Sequence, residues 1–312
     1  MPVNPQVQAL LDEFAKQGLP PFEQMSPTQA RLVAMGFRDL QGEPEDVAEV
    51  RDILVPGPTG ALPVRLYHPA PGKLLPLVVF FHGGGWVIGD IEIVDKPCRA
   101  IAKASQCVVA SVNYRVSPET KFPGPVEDCY AATRWLVEHA QTVGANGRFV
   151  AVSGDSAGGN LAAAVALMAR DRGAPALSYQ LLIYPVTAPA AGTTFASYRD
   201  NADGYLLTKP GMDWFWDHYL ASPADGKNPY ASPLLAPDVS RLPPAMVVTA
   251  EFDPLRDEGQ AYAQRLRDAG VSVKSSYYEG AIHGILWMAG ALDAGKQLIA
   301  EIGNELRKQS IA

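Results

Sequence analysis

Short apolar, β-branched runs alternate with longer helix-like stretches along most of this chain. The runs at residues 77–81, 108–112, 149–153, 179–184, 245–250 and 271–278 read as strands. Helical stretches separate them, so the pattern predicts an α/β fold with a mostly parallel central sheet and helices on both faces. Two extended segments, 47–55 and 62–68, precede the alternation.

Two regions break the rhythm. Near the N-terminus, Asn4-Pro5 and Ser26-Pro27 each offer an N-cap followed by proline at the first helical position. They predict two short amphipathic helices at 6–17 and 28–37. The second region, residues 187–230, interrupts the strand alternation and carries Leu206, Leu207, Trp214, Phe215, Trp216 and Tyr219. Aromatics at helical spacing ordinarily mark a helix packed on its domain. An insertion beside the carboxyl edge of a sheet, paired with a detached helix pair, also makes a cap. The expected organisation is a main domain of residues 46–186 and 231–312 under a helical cap of 1–45 and 187–230.

Candidate chemistry is concentrated at Val150-Ala151-Val152-Ser153-Gly154-Asp155-Ser156-Ala157-Gly158-Gly159-Asn160. An apolar strand meets G-x-S-x-G, and an alanine-rich helix follows. A serine presented at such a sharp turn needs positive φ, and Gly154 and Gly158 keep Cβ atoms out of the crowded junction. The helix starting there aims free N–H groups, Ala157's among them, at any oxyanion. Taken alone, the pentapeptide equally describes a glycine-rich strand–helix turn.

A second glycine run shifts that balance. The strand 77–81 ends in His82-Gly83-Gly84-Gly85-Trp86, whose unshielded backbone can approach a ligand closely. Gly83 and Gly84, with Ala157, are the expected oxyanion donors; losing one such donor costs ~3–4 kcal/mol of transition-state stabilisation. A phosphate loop is excluded, because no G-K-[ST] follows and the run does not fit G-x-G-x-x-G. His82 is expected to brace the loop by a hydrogen bond, and Trp86 to pack or to line an acyl pocket.

Of the five histidines, only His218 and His283 follow Ser156, as the order serine, acid, histidine requires. His218 lies in an aromatic helical stretch without a preceding strand. His283 follows a strand and a turn at 279–281, where a base can reach the serine. For the acid, the strand 245–250 ends near Glu251, Asp253 and Asp257. Asp253, stiffened by Pro254, is the expected partner of the histidine, with Glu251 as runner-up. Asp257 is expected to cap a helix over 258–269.

The motifs H-G-G-G-W, G-D-S-A-G-G, D-P-L-R-D and H-G, in this order, resemble the hormone-sensitive-lipase family of esterases within the α/β-hydrolase superfamily. Asn113-Tyr114-Arg115-Val116-Ser117-Pro118-Glu119 and Phe122-Pro123 resemble the family's Y-R-L-A-P-E…F-P segment. Val116-Ser117 replaces Leu-Ala, and Ile285 stands where phenylalanine is common after H-G. The resemblance implies the α/β-hydrolase fold and a serine carboxylesterase acting on short- to medium-chain esters without cofactor or metal. It implies Ser156 as nucleophile, His283 as base, Asp253 as acid, and Gly83, Gly84 and Ala157 as oxyanion hole. The cap would shape the substrate pocket, with Trp86, Leu206, Phe215 and Ile285 as expected lining. Asp155 is expected to brace a loop. Two other readings share the scaffold: a receptor like the gibberellin receptors, which lose the base histidine, and a hydrolase of amides, lactones or carbamates.

Composition adds exclusions. The 312 residues are 47% hydrophobic, enough for one large core. A net charge of −7 without a basic cluster argues against nucleic acid or an anionic membrane surface as partner. Cys98, Cys107 and Cys129 cannot all pair and lack metal-ligand spacing, so reduced thiols are expected. No signal-type apolar core or membrane-length run occurs, which makes a cytoplasmic protein the expectation. The last strand reads as an unpaired sheet edge, leaving a homodimer open.

Overall fold

A computed structural model of the chain describes residues 2–311. Met1 and Ala312, the outer ends of the expected cap and main-domain segments, lie outside the described residues. Helix α1 (Pro5–Gln17) opens where the Asn4 side chain accepts the Gln6 N–H, and it ends at Gly18 with φ +63°. Helix α2 (Pro27–Ala34) starts with a reciprocal capping box between Ser26 and Gln29. The helix expected to reach residue 37 tightens instead into a 3₁₀ segment, Met35–Leu40, where Gly36 weakens the α-helical preference.

There follow β1 (Glu49–Gly57), β2 (Gly60–His68), β3 (Leu75–Phe81), α3 (Asp95–Ser105), β4 (Val108–Val112) and α4 (Gly124–Glu138). Next come β5 (Ala145–Asp155), α5 (Ala157–Arg172), β6 (Tyr179–Ile183), α6 (Ser197–Asp200) and α7 (Lys209–Tyr219). The chain closes with β7 (Ala245–Phe252), α8 (Arg256–Asp268), β8 (Val273–Ile282) and α9 (Asp293–Ile311). Among the described residues one eight-stranded sheet runs in the order β1-β2-β4-β3-β5-β6-β7-β8. The β1–β2 and β2–β4 pairs are antiparallel, and the other pairs are parallel.

Strands β3, β4 and β6 and helix α5 are buried almost throughout, which explains their apolar composition on every side. Parallel strands share a carboxyl edge, so the ends of β3, β5, β7 and β8 deliver His82, Ser156, Asp253 and His283 to one place. The N-terminal segment and the insertion meet above that edge, with the rings of Phe22 and Phe215 5.9 Å apart.

Two sequence expectations change here. Residues 279–281 are not a turn, because β8 runs on to Ile282 through a bulge. Gly280 takes φ +67° in that bulge, and its punctuation imitates a turn in the sequence. Helix α8 begins at Arg256, so Asp257 lies inside its first turn and is not the N-cap. Its carboxylate accepts the Ser197 N–H at 2.8 Å and anchors the insertion instead.

β8 occupies one end of the sheet. The three cysteines are buried and unpaired. Among the described residues no helix is long and apolar enough to cross a membrane, and no group of three or more His, Cys, Asp or Glu could hold a metal ion.

Candidate active site

Ser156 sits between β5 and α5 with φ +56° and ψ −118°, a conformation that L-residues avoid. Its surroundings over-determine that geometry. The Ser156 N–H donates to Ile183 O at 2.8 Å, and its own carbonyl accepts the Asn160 N–H. A Cβ on Gly158 would lie 1.9 Å from Phe81 O, and one on Gly154 would lie 2.4 Å from the Gly158 backbone. Only glycine allows β5, β3 and α5 to approach this closely.

His283 follows β8 directly. Its Nε2 lies 2.9 Å from Ser156 Oγ and its Nδ1 2.7 Å from Asp253 Oδ2. A carboxylate only accepts, so Nδ1 carries the proton toward Asp253 and Nε2 is free to accept from the serine hydroxyl. Asp253 is fully buried, and its other oxygen accepts the Leu255 N–H at 2.8 Å. Glu251, the alternative acid, instead accepts the Gly280 N–H at 2.7 Å and secures the bulge of β8. His218 packs against Trp214 in α7, with the rings tilted by 55° and 4.3 Å between centroids.

Tyr184 is a site residue that sequence reasoning missed. It has φ +35°, its ring meets His283 edge-on at 4.7 Å, and its hydroxyl accepts the Leu286 N–H. A tyrosine at a strand end carries no signal of that contact.

The glycine run departs from expectation in one respect. Gly83's N–H donates to Asp155 Oδ1 at 2.9 Å, so it is committed to the loop and not free for an oxyanion. Gly84 and Gly85, with φ +102° and +57°, line the cavity beside Ser156. A Cβ on Gly85 would lie 2.1 Å from the Phe215 ring, which accounts for the third glycine. Ala157 opens α5 immediately behind the serine.

His82 is buried and donates from Nδ1 to Gly83 O at 2.8 Å, while its ring stacks on Tyr114. Burial pushes its pKa down to about 4. Asp155 is pushed up to about 7 by burial, against the opposing pull of the Gly83 N–H and of His283. Glu258, which accepts N–H groups from Thr187 and Ala188 at the root of the insertion, is pushed by burial up to about 8.

A cavity of about 70 Å³ covers Ser156 and His283, and Leu206 and Phe215 line it as expected from sequence. Trp86 does not line it: the indole is buried with φ +61° and stacks on Tyr219 at 4.1 Å, supporting the glycine loop from outside. Ile285 is also buried away from the cavity, and Trp287 provides that wall. The 3₁₀ turn Ile285–Met288 explains the exchange, since it rotates Ile285 inward and Trp287 toward the serine. Phe22, Phe37 and Met212 complete walls that no local sequence pattern marks.

A family model for the alpha/beta hydrolase fold matches residues 78–287. The chain is similar to the carboxylic ester hydrolase LipN of Mycobacterium tuberculosis, 41% identical over 91% of this chain and 77% of that protein. It is 36% identical to an arylesterase of Saccharolobus solfataricus, over 98% of this chain and 99% of the relative. Among solved structures, a hyperthermophilic esterase from the archaeon Pyrobaculum calidifontis superposes with a TM-score of 0.94 at 40% identity, covering 100% of both chains.

Proposed function

The chain belongs to the hormone-sensitive-lipase family of carboxylic ester hydrolases in the α/β-hydrolase superfamily, and from that premise we propose that it cleaves esters through an acyl-enzyme on Ser156. The observation that carries the proposal is the continuous relay from Ser156 Oγ to His283 Nε2 at 2.9 Å and from His283 Nδ1 to Asp253 at 2.7 Å. Ser156 Oγ attacks the ester carbonyl carbon as His283 takes its proton. Asp253 holds the tautomer and stabilises the imidazolium. The carbonyl oxygen, now an anion, is held by the N–H groups of Gly84, Gly85 and Ala157. On collapse His283 returns the proton to the leaving alcohol. Water, activated by the same histidine, then adds to the acyl group, and the carboxylic acid leaves as Ser156 regains its proton.

The substrates are small-molecule esters with short to medium chains, in keeping with the small cavity over Ser156. The N-terminal helices and the 187–230 insertion act as a cap that excludes water from the oxyanion, a reading supported by the Phe22–Phe215 contact. The test is hydrolysis of nitrophenyl esters from acetate to dodecanoate by wild type and Ser156→Ala. A loss on the order of a millionfold in kcat supports the nucleophile. Comparable turnover by the variant removes it.

A further inference from the structure

The cavity over Ser156, about 70 Å³, is small beside the roughly 300–1,000 Å³ of ordinary small-molecule sites. A second hollow of about 420 Å³ lies between α1, residues 19–22 and the 3₁₀ segment after α2. Phe22, Phe37 and Leu206 are walls of both spaces. The rest of the second space is mainly apolar, and Asp39 is the one charged residue that lines it.

The three shared walls are held differently. Phe22 packs against Phe215 at 5.9 Å, and Phe37 lies between Trp287 at 5.8 Å and Phe14 at 6.1 Å. Both rings are thus clamped by other aromatics. Leu206 stands in the irregular stretch between α6 and α7 with φ +74°. The Leu207 N–H donates to Tyr205 O at 3.0 Å, closing a three-residue turn of the rare positive-φ form around Leu206. Gly204, two residues earlier, would bear such a φ freely; a branched apolar side chain does not. Strain kept at the residue dividing two cavities means that the position of its side chain is what the fold is holding.

We propose that Leu206 is a gate between the Ser156 cavity and a second, alkyl-binding groove in the N-terminal segment. The distal part of a medium-length ester chain passes Leu206 between Phe22 and Phe37 and lies in the groove. The proposal rests on the esterase reading above. The occupant is an alkyl chain because the groove continues the site that receives the ester and is walled by Phe14, Met25 and Val33. Each buried methylene would then contribute about fourfold to kcat/KM.

The experiment compares kcat/KM across nitrophenyl alkanoates from acetate to dodecanoate, and across alkyl acetates of matching length. Wild type, Leu206→Gly, Gly36→Trp and the double variant are measured. Gly36 lines the groove and a Cβ there meets nothing within 4 Å, which makes it the position at which to place a bulky side chain in the groove. Leu206→Gly is expected to raise the decanoate-to-acetate ratio about tenfold or more. Gly36→Trp is expected to lower the ratio in wild type and to cancel the gain in the double variant. The series that responds identifies whether the acyl or the alcohol chain enters. Should Leu206→Gly fail to fold, the fall in ratio with Gly36→Trp alone decides. An unchanged ratio in Gly36→Trp, or a gain in Leu206→Gly that the tryptophan leaves intact, overturns the gate. Folded wild type without acetate turnover overturns the esterase reading, and the gate with it.

Discussion

The N–H of Gly83 donates to the buried carboxylate of Asp155 at 2.9 Å, tying the glycine loop after β3 to the residue before the nucleophile. A Cβ on Gly83 would lie 2.3 Å from Asp155 Oδ2, so the two residues are fitted to each other. The bond uses up the first glycine and turns the next two toward the cavity. One buried carboxylate therefore sets the geometry of the proposed oxyanion donors.

Asp155→Asn is expected to gain stability relative to wild type as pH rises. The folded-state pKa of about 7 stands above the ordinary aspartate value near 4, so the folded chain holds a proton that the unfolded chain releases between about pH 4 and 7. Stability contributed by this group falls as pH rises through that window. Asparagine keeps an oxygen for the Gly83 N–H and loses the ionisation. Its advantage in unfolding free energy over wild type should grow from pH 4 to pH 8 by a few kcal/mol, on the order of the shift. Denaturant titrations at several pH values check this; a pH-independent difference contradicts it.

Asp253→Asn and Glu251→Gln separate the two candidate acids. Replacing Asp253, which meets His283 Nδ1 at 2.7 Å, should lower kcat about ten-thousandfold, as loss of the correct tautomer does in other triads. Glu251→Gln keeps an acceptor for the Gly280 N–H and should cost less than about tenfold. The reverse ranking in steady-state kinetics would exchange their roles.

Gly85→Ala places a methyl 2.1 Å from the Phe215 ring at a φ of +57°. Displacing one oxyanion donor should lower kcat by about a hundredfold or more. Part of that loss comes from the ring, so the same substitution should do less damage in a Phe215→Ala background. A double-mutant cycle on kcat with no coupling energy argues against this placement of the third glycine.

Deleting residues 1–40 should leave a cooperatively folding core with a lower Tm and much reduced ester turnover. The deletion removes Val7, Leu10, Met25, Ala30 and Ala34 from the apolar cluster. It also removes the Arg31 guanidinium, which donates to Val87 O at 2.9 Å and Ser117 O at 2.8 Å behind the glycine loop. Unchanged kinetics in the truncated chain would deny the N-terminal segment any part in the site.

The strand alternation, the elbow, the glycine run and the order of Ser156, Asp253 and His283 were legible in the chain itself. Each is a local constraint: the period of apolar residues, a turn that admits only glycine, a residue type at a strand end. Relations between segments were not legible. Which glycine N–H stays free depends on Asp155 reaching Gly83 from β5, 72 positions away. Trp287, and not Ile285, faces the serine because a 3₁₀ turn sets the phase of that loop, and Trp86 leaves the cavity because Tyr219 offers it a stacking partner. The walls Phe22, Phe37 and Met212 come from segments that meet only once the N-terminal helices and the insertion pack together. The sequence determined the candidate reacting groups, because their chemistry demands particular residue types in particular local conformations. Tertiary structure decided the shape of the space around them, because many apolar side chains suit a wall and packing alone selects which ones stand there.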